Sequence, residues 1–189
     1  MNGKLIIFSA PSGSGKTTLV NRLLNKKIGL EFSISATSRK PRGTEQNGHE
    51  YYFLSVEEFK EKIEKKEFVE YEEVYPGCYY GTLRSEIERI SAKGNNAVFD
   101  IDVKGGINLK NQFGEQALSI FVAPPSVETL RQRLVNRGTD SEEMIEKRVG
   151  KAQYEMSFAP QFDIVIVNDI LEIAEKETEK AIRNFISKK

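Results

Sequence analysis

Apolar positions recur at two different periods along this chain, and the period predicts the element. Lys4-Leu-Ile-Ile-Phe-Ser9 is a short, mostly apolar run, the pattern of a strand buried on both faces of a parallel sheet. A Gly/Ser-rich turn follows, after which Leu19, Val20, Leu23 and Leu24 share one face of a helix starting near Lys16. Phe32 to Ala36 and Tyr51 to Leu54 read as short strands on either side of a polar loop, Thr37 to Glu50. Ser55 and Glu58 form a capping box ahead of Val56, Phe59 and Ile63 at helical spacing. Phe68 to Tyr75 alternates like a strand exposed on one side. A helix over Leu83 to Lys93 stops at Gly94. Ala97 to Asp102, Leu118 to Val122 and Ile164 to Val167 are predicted as buried strands with helical segments between them. A last helix spans Leu171 to Ser187. Strands alternating with helices predict an α/β fold with a parallel sheet flanked by helices. Within it, residues 34–83 form a small mixed α/β insertion of antiparallel character.

Composition narrows the function classes. A chain of 189 residues suits one domain, and 39% hydrophobic with 30% charged residues is the balance of a globular protein. Lys+Arg and Asp+Glu both number 28, so the basic surplus that neutralises nucleic-acid phosphates is missing. With one cysteine, Cys78, and one histidine, His49, neither an intrachain disulfide nor a His/Cys zinc cage can be assembled. Both are read as ordinary loop residues. The apolar run near the start, Leu5 to Phe8, is too short for a signal-peptide core or a membrane span, so the expectation is a cytoplasmic protein with no membrane partner.

Ala10-Pro-Ser-Gly-Ser-Gly-Lys-Thr17 matches the Walker A pattern apart from Ala at its first position, where a methyl must find room. Gly13 and Gly15 let the backbone curl so that successive N–H groups face phosphate oxygens. The helix that follows presents its positive end to the same oxygens. Lys16 supplies a cation for the β- and γ-phosphates, and the Thr17 hydroxyl is a Mg²⁺ ligand candidate. The loop follows a strand and opens a helix, the arrangement of a P-loop NTPase-type sheet. Asp100 and Asp102 end an apolar run, and their separation of two residues places both side chains on the same face of a strand. They are the candidate metal carboxylates, with strand-end capping as the alternative role. Arg39 and Arg42 flank Pro41 in a turn and could grip a phosphate bidentately.

Ser33-Ile-Ser-Ala-Thr-Ser-Arg-Lys-Pro-Arg42, Asn47-Gly-His-Glu-Tyr-Tyr-Phe53, Glu67-Phe-Val-Glu-Tyr71 and Tyr79-Tyr-Gly-Thr82 come in the order and spacing of a known family. So do Phe99-Asp-Ile-Asp102, Ala123-Pro-Pro-Ser126, Arg133-Leu-Val-Asn-Arg-Gly-Thr139 and Val165-Ile-Val-Asn-Asp169. Over nearly its whole length the chain resembles the guanylate kinases, which use Mg-ATP to phosphorylate GMP to GDP. The resemblance implies a core of 1–33, 84–125 and 158–189, a GMP-binding insertion of 34–83, and a helical lid of 126–157. ATP would be held by Ala10, Pro11, Ser12, Gly13, Ser14, Gly15, Lys16, Thr17 and Thr18, with Asn168 near the adenine end. Arg39, Arg42, Tyr51 and Tyr80 would hold the GMP phosphate; Ser35, Glu70, Thr82 and Asp102 would surround the guanine, with Gly81 and Asp100 completing the set. Thr82 stands where the family often has serine, which keeps a hydroxyl. Lys16, Arg42, Arg133, Arg137 and Arg148 would stabilise the transferring phosphoryl group. Two alternatives carry over: a kinase for another phosphorylated acceptor, and a binding module that has lost catalysis.

Overall fold

The structure, a computed structural model, describes residues 3–138 and 141–188; the side chain of Arg137 lies outside the described residues. Contacts divide the chain into two compact units, one of Lys4–Leu30 with Val98–Lys189 and one centred on Glu31–Ala97. The strands are β1 (Leu5–Ser9), β2 (Leu30–Phe32), β3 (Ala36–Thr37), β4 (Tyr52–Phe53), β5 (Phe68–Tyr75), β6 (Cys78–Leu83), β7 (Asn96–Asp100), β8 (Ala117–Ala123) and β9 (Ile164–Val167). The helices are α1 (Lys16–Leu24), α2 (Val56–Glu64), α3 (Arg84–Ala92), α4 (Val103–Phe113), α5 (Val127–Arg137), α6 (Glu142–Met156) and α7 (Leu171–Ser187).

A five-stranded sheet runs in the order β2-β7-β1-β8-β9. β1 pairs in parallel with β8 from Leu5↔Ala117 to Ser9↔Phe121, and β8 with β9 from Ile120↔Ile164 to Ala123↔Val167. Every residue of β1 and β8 is buried, as the continuous apolar runs predict for strands covered on both faces. Their polar exceptions are satisfied: Ser9 Oγ donates to the Asp102 carbonyl at 3.0 Å, and Ser119 Oγ to Asp163 Oδ2 at 2.9 Å.

Three expectations change here. Ile164–Val167 is a strand, but at the sheet edge: Ile166 is buried while Val165 and Val167 are exposed. Four consecutive β-branched residues hide the alternation that would have marked one open face. The expected strand Phe32–Ala36 is split between β2 and β3, which lie in different sheets. Between them the Ile34 N–H donates to the buried Glu86 carboxylate at 3.0 Å instead of joining a ladder. The run Ala97–Asp102 stops being a strand at Asp100, because Asp102 Oδ1 accepts from the N–H groups of Lys104 (2.8 Å) and Gly105 (2.9 Å) and starts α4 as its N-cap. Asp100 and Asp102 therefore do not share a strand face.

The second sheet, in the order β4-β3-β6-β5, is mixed: β3 is parallel to β4 and antiparallel to β6, and β5 is antiparallel to β6. Cys78 opens strand β6 rather than sitting in a loop. Ala36, Phe59, Phe68, Tyr79 and Leu83 form the core of this unit, with Phe59 stacked on Phe68 at 4.2 Å and on Tyr79 at 5.3 Å between ring centres. The capping box is present: Ser55 Oγ accepts from the Glu58 N–H, and Glu58 from the Ser55 N–H.

One charged network braces this unit. The buried Glu86 carboxylate accepts from Ile34 N–H, from Tyr52 OH at 2.9 Å and from Arg89 at 2.9 and 2.7 Å. Arg89 also pairs with Glu31, which in turn accepts from Lys93 and Asn95, both at 2.8 Å. Burial works to raise the Glu31 pKa, but the bonds from Lys93, Asn95 and Arg89 together hold it at about 2, against an ordinary 4.5. A carboxyl depressed in the folded state contributes stability above its unfolded pKa and loses it as pH falls through the folded value. Stability should therefore decline from about pH 5 towards pH 2, with Glu31 contributing up to about 3 kcal/mol of the change. Denaturant titrations of wild type and Glu31→Gln across that range test this: the variant should be less stable at pH 7 and show a flatter acid limb.

Candidate active site

In the first unit the phosphate loop is built from strand, turn and helix. Gly13 has φ +92° and Gly15 φ +86°, conformations that side chains disfavour. Gly15 is also the N-cap of α1, which has no side-chain cap and no acidic residue in its first turn. The leading N–H groups of the helix are thus left for an anion. Ala10 is buried among the core residues around β1, so its methyl finds the room that the Walker pattern normally reserves for glycine.

Side chains hold the loop from behind. Asn168, buried just beyond β9, donates from Nδ2 to the Ser14 carbonyl at 2.8 Å. A Cβ at Gly15 would come within 2.4 Å of the same Nδ2, a second reason for glycine there. Arg133, on α5, donates to the carbonyls of Asn168 at 2.9 Å and of Ser14 and Asp169 at 3.4 Å. Arg148, on α6, donates to Ser12 Oγ at 2.9 Å. α5 and α6 pack through Leu130, Leu134, Ile145 and Ala152. Lys16 Nζ pairs with Asp100 Oδ1 and donates to the Ile101 carbonyl at 3.2 Å, while Thr17 Oγ1 lies 3.5 Å from Asp100 Oδ2. Thr18 is exposed in the first turn of α1. These residues line a cavity of about 800 Å³ formed by residues 10–18, 100–102, Arg133, Leu134, Asn136, Arg148, Lys151 and Glu155. Asn136, Lys151 and Glu155 escaped the sequence reading; only the i, i+3, i+7 spacing of Arg148, Lys151 and Glu155 along one helix face could have pointed to the last two.

The second unit carries a separate cluster. Arg39, with a side chain only 11% exposed, is bidentate to Glu45 at 2.6 and 2.8 Å and donates from Nε to Tyr80 OH at 3.1 Å. Its guanidinium lies 4.9 Å from the centre of the Tyr51 ring and 5.6 Å from that of Phe53. Burial, foremost, raises the Tyr51 pKa above its ordinary 10, so its hydroxyl remains a donor at neutral pH. Arg42 is exposed, and its backbone N–H donates to Glu45 Oε2 at 2.8 Å. Along the same pair of strands, Thr82 Oγ1 donates to Glu70 Oε1 at 2.8 Å. Gly81 sits between Tyr80 and Thr82 where a Cβ would lie 2.7 Å from the Glu70 carbonyl. Ser35 is half-buried and its carbonyl accepts from the Tyr52 N–H at 2.9 Å. His49 is exposed and bonded to Glu50 at 2.6 Å. Glu45, the carboxylate that pairs with Arg39, was not among the residues picked out from the sequence.

The Guanylate kinase family model matches residues 2–185. The chain belongs to the guanylate kinase family. A guanylate kinase of Bacteroides thetaiotaomicron is 62% identical over 188 residues, covering 100% of this chain and 92% of that protein. One of Porphyromonas gingivalis is 57% identical, covering 98% of this chain and 99% of that one. The crystal structure of guanylate kinase from Anaplasma phagocytophilum, 31% identical, superposes with a TM-score of 0.77 over 98% of this chain and 87% of its own. The α/β architecture of this chain therefore agrees with that of the solved guanylate kinase. No helix among the described residues is long and apolar enough to cross a membrane.

The bond from Asn168 to the Ser14 carbonyl makes a specific claim about the phosphate loop. In Asn168→Asp an oxygen replaces the donor and faces that carbonyl in a buried site. Stability should fall by about 2–4 kcal/mol, and ATP affinity, read by calorimetry, should fall at least about tenfold as the loop loosens.

Proposed function

We propose that this chain transfers the γ-phosphoryl group of ATP to GMP, and to dGMP, giving the diphosphate and ADP. The observation that carries the acceptor assignment is the register of β5 and β6. Glu70 faces Thr82, and Glu72 faces Tyr80. A carboxylate–hydroxyl pair and a tyrosine–arginine cluster thus lie one pleat repeat apart on one sheet face, roughly 7 Å along the strand. Guanine offers donors at N1 and N2 that a carboxylate such as Glu70 can accept together, with Ser35 and Thr82 adding hydroxyls. Adenine would leave that carboxylate unpaired, a costly mismatch. Arg39, Arg42, Tyr51 and Tyr80 supply positive charge and O–H donors for the monophosphate.

The phosphate loop, Lys16 and the α1 N-terminus receive the ATP phosphates. Asn168 and Arg133 keep the loop carbonyls turned away, so that its N–H groups face the ligand. Among the described residues no cluster of three or more His, Cys, Asp or Glu side chains could hold a metal ion. Thr17 and Asp100 instead offer a hydroxyl and a carboxylate, the sparse oxygen set that suits Mg²⁺ arriving on nucleotide phosphates. When bound, Mg²⁺ neutralises charge on the β- and γ-phosphates. Asp100 Oδ2 lies 3.5 Å from the Thr17 hydroxyl, whereas Asp102 caps α4, so Asp100 is the carboxylate placed to share a metal with Thr17.

The acceptor oxygen of GMP is ionised at neutral pH, so no general base is required, and the only histidine is an exposed one. Transfer then rests on positioning and charge neutralisation, with Lys16 and Arg148 directed at the transferring group and residues 126–157 acting as a lid that excludes water. Arg137 falls in the same lid. Such a reaction belongs to purine nucleotide metabolism, upstream of GTP supply, in the cytoplasm.

ADP formation from Mg-ATP, measured with GMP, AMP, CMP, UMP and dTMP separately and against a no-acceptor blank, should show strong turnover with GMP alone. Glu70→Ala should lower kcat/KM for GMP at least about a hundredfold, and Lys16→Ala should abolish transfer about a thousandfold or more. An unaltered GMP preference in Glu70→Ala removes the guanine assignment; a fully active Lys16→Ala removes the loop's catalytic role.

A further inference from the structure

Ser33, Ile34 and Ser35 lie between β2 and β3 and belong to neither strand. Ser35 carries a hydroxyl proposed above for the base, yet its segment stands outside the strands on either side. A ring of bonds closed by a buried carboxylate holds it. Glu86, in the first turn of α3 and with a side chain only 1% exposed, accepts from the Ile34 N–H at 3.0 Å through Oε1. Its Oε2 accepts from the Tyr52 hydroxyl at 2.9 Å. Tyr52 in turn donates its own N–H to the Ser35 carbonyl at 2.9 Å. The path from Glu86 through Ile34, Ser35 and Tyr52 returns to Glu86, and Ser35 sits in it with a fixed neighbour on either side.

Arg89 sets the direction of the carboxylate, donating to Oε1 at 2.7 Å and to Oε2 at 2.9 Å. Burial acts to raise the Glu86 pKa, but the bonds from Arg89, the Ile34 N–H and Tyr52 hold it below its ordinary value. Both oxygens are therefore full acceptors, and an amide in their place would turn its NH₂ group toward another donor. A segment held in this way has less conformational freedom to lose when a ligand arrives. We infer that Glu86 is a positioning residue for base recognition: the ring it closes keeps the Ser35 hydroxyl where it meets O6 of guanine. Glu31, Lys93 and Asn95, on the other side of Arg89, add stability without entering the ring. The inference rests on the reading of Ser35 as a guanine contact.

Wild type, Glu86→Gln, Glu31→Gln, Tyr52→Phe, Ser35→Ala and the Glu86→Gln/Ser35→Ala double variant are compared for KM and kcat with GMP. Binding is measured for GMP and for 2-aminopurine riboside 5′-monophosphate, the analogue without O6. Glu86→Gln and Ser35→Ala should each weaken GMP binding about fivefold, the value of one hydrogen bond, with kcat within about threefold of wild type. Analogue binding should be unchanged in both, which a general loss of structure would not allow. Because Glu86 acts through Ser35, the double variant should be no worse than Ser35→Ala alone. Glu31→Gln removes a partner of the same Arg89 and should bind GMP as wild type does. Unchanged GMP binding in Glu86→Gln, an equal loss for the analogue, a matching GMP defect in Glu31→Gln, or penalties that multiply in the double variant overturns the inference. Should Glu86→Gln not fold, Tyr52→Phe opens the ring by deleting one hydroxyl and should show a GMP-selective loss of about threefold; unaltered GMP binding there also overturns it. Ser35→Ala separates the levels: if it leaves GMP binding intact, the base contact itself fails, whereas a loss there with normal binding in Glu86→Gln sinks only the positioning role.

Discussion

Helix α1 begins at Gly15 with its first N–H groups unmet by any side-chain acceptor and with no carboxylate in its first turn. A helix start of that kind must have its N–H groups met from outside the helix, and with no side chain doing so they are presented to an anion. Gly13 and Gly15 take positive φ to point the N–H groups outward. The carbonyls this forces to the back, Ser14 above all, are met by Asn168 and Arg133. Arg133 comes from α5, and Asn168 reaches the loop because β9 ends beside it, through the pairing of β8 with β9 and the Asn168 N–H bond to the Ala123 carbonyl at 2.8 Å. The edge strand, half exposed and unremarkable as a core element, is thus the scaffold of the phosphate loop.

The second unit faces a different physical problem, the burial of charge. A guanidinium taken out of water must be paired and fully bonded to be tolerated. Arg39 and Arg89 meet that requirement in the same way, each with a carboxylate in fork geometry and each with a tyrosine hydroxyl in the network. Around Arg89 the result is a brace between α3 and the chain at Glu31 and Ile34. Around Arg39 it is a rigid platform beside two tyrosines. The same chemistry recurs at two places in the unit, with the Tyr80 hydroxyl accepting from Arg39 in one and the Tyr52 hydroxyl donating to Glu86 in the other.

Much of this was legible in the chain. β5, β9 and α7 have the bounds that their periodicity predicts, and α1 begins where the glycine turn said it would. The capping box at Ser55 was readable because both partners lie within one turn. What was hidden depended on partners distant in sequence. Nothing local shows that the Ile34 N–H bonds Glu86, fifty-two residues away, and so breaks a strand in two. Asp102 looked like the outer end of a strand because its capping role depends on where α4 starts, and Val103-Lys-Gly-Gly is a poor helix signal. Strand β6 was obscured by Gly77 and Gly81, although Gly81 is required there because β5 comes too close for a side chain. Arg39 and Arg42 could be picked out as a phosphate pair, but not told apart, since the sequence does not reveal which guanidinium is already occupied.

That distinction bears on how a kinase without a base accelerates transfer. Electrostatic catalysis needs dipoles and charges already aimed before the reacting groups arrive, because reorienting them during the reaction costs free energy. Arg39 is fixed by a carboxylate, a carbonyl and a phenol; Arg133 by three backbone carbonyls; Lys16 by Asp100 and the Ile101 carbonyl. Each of these cations is held by acceptors of the protein itself, so its orientation is set by the fold. Arg42, by contrast, is exposed in its turn. Glu45 bonds both the Arg39 guanidinium and the Arg42 N–H, so a largely buried and an exposed arginine are tied together within one turn.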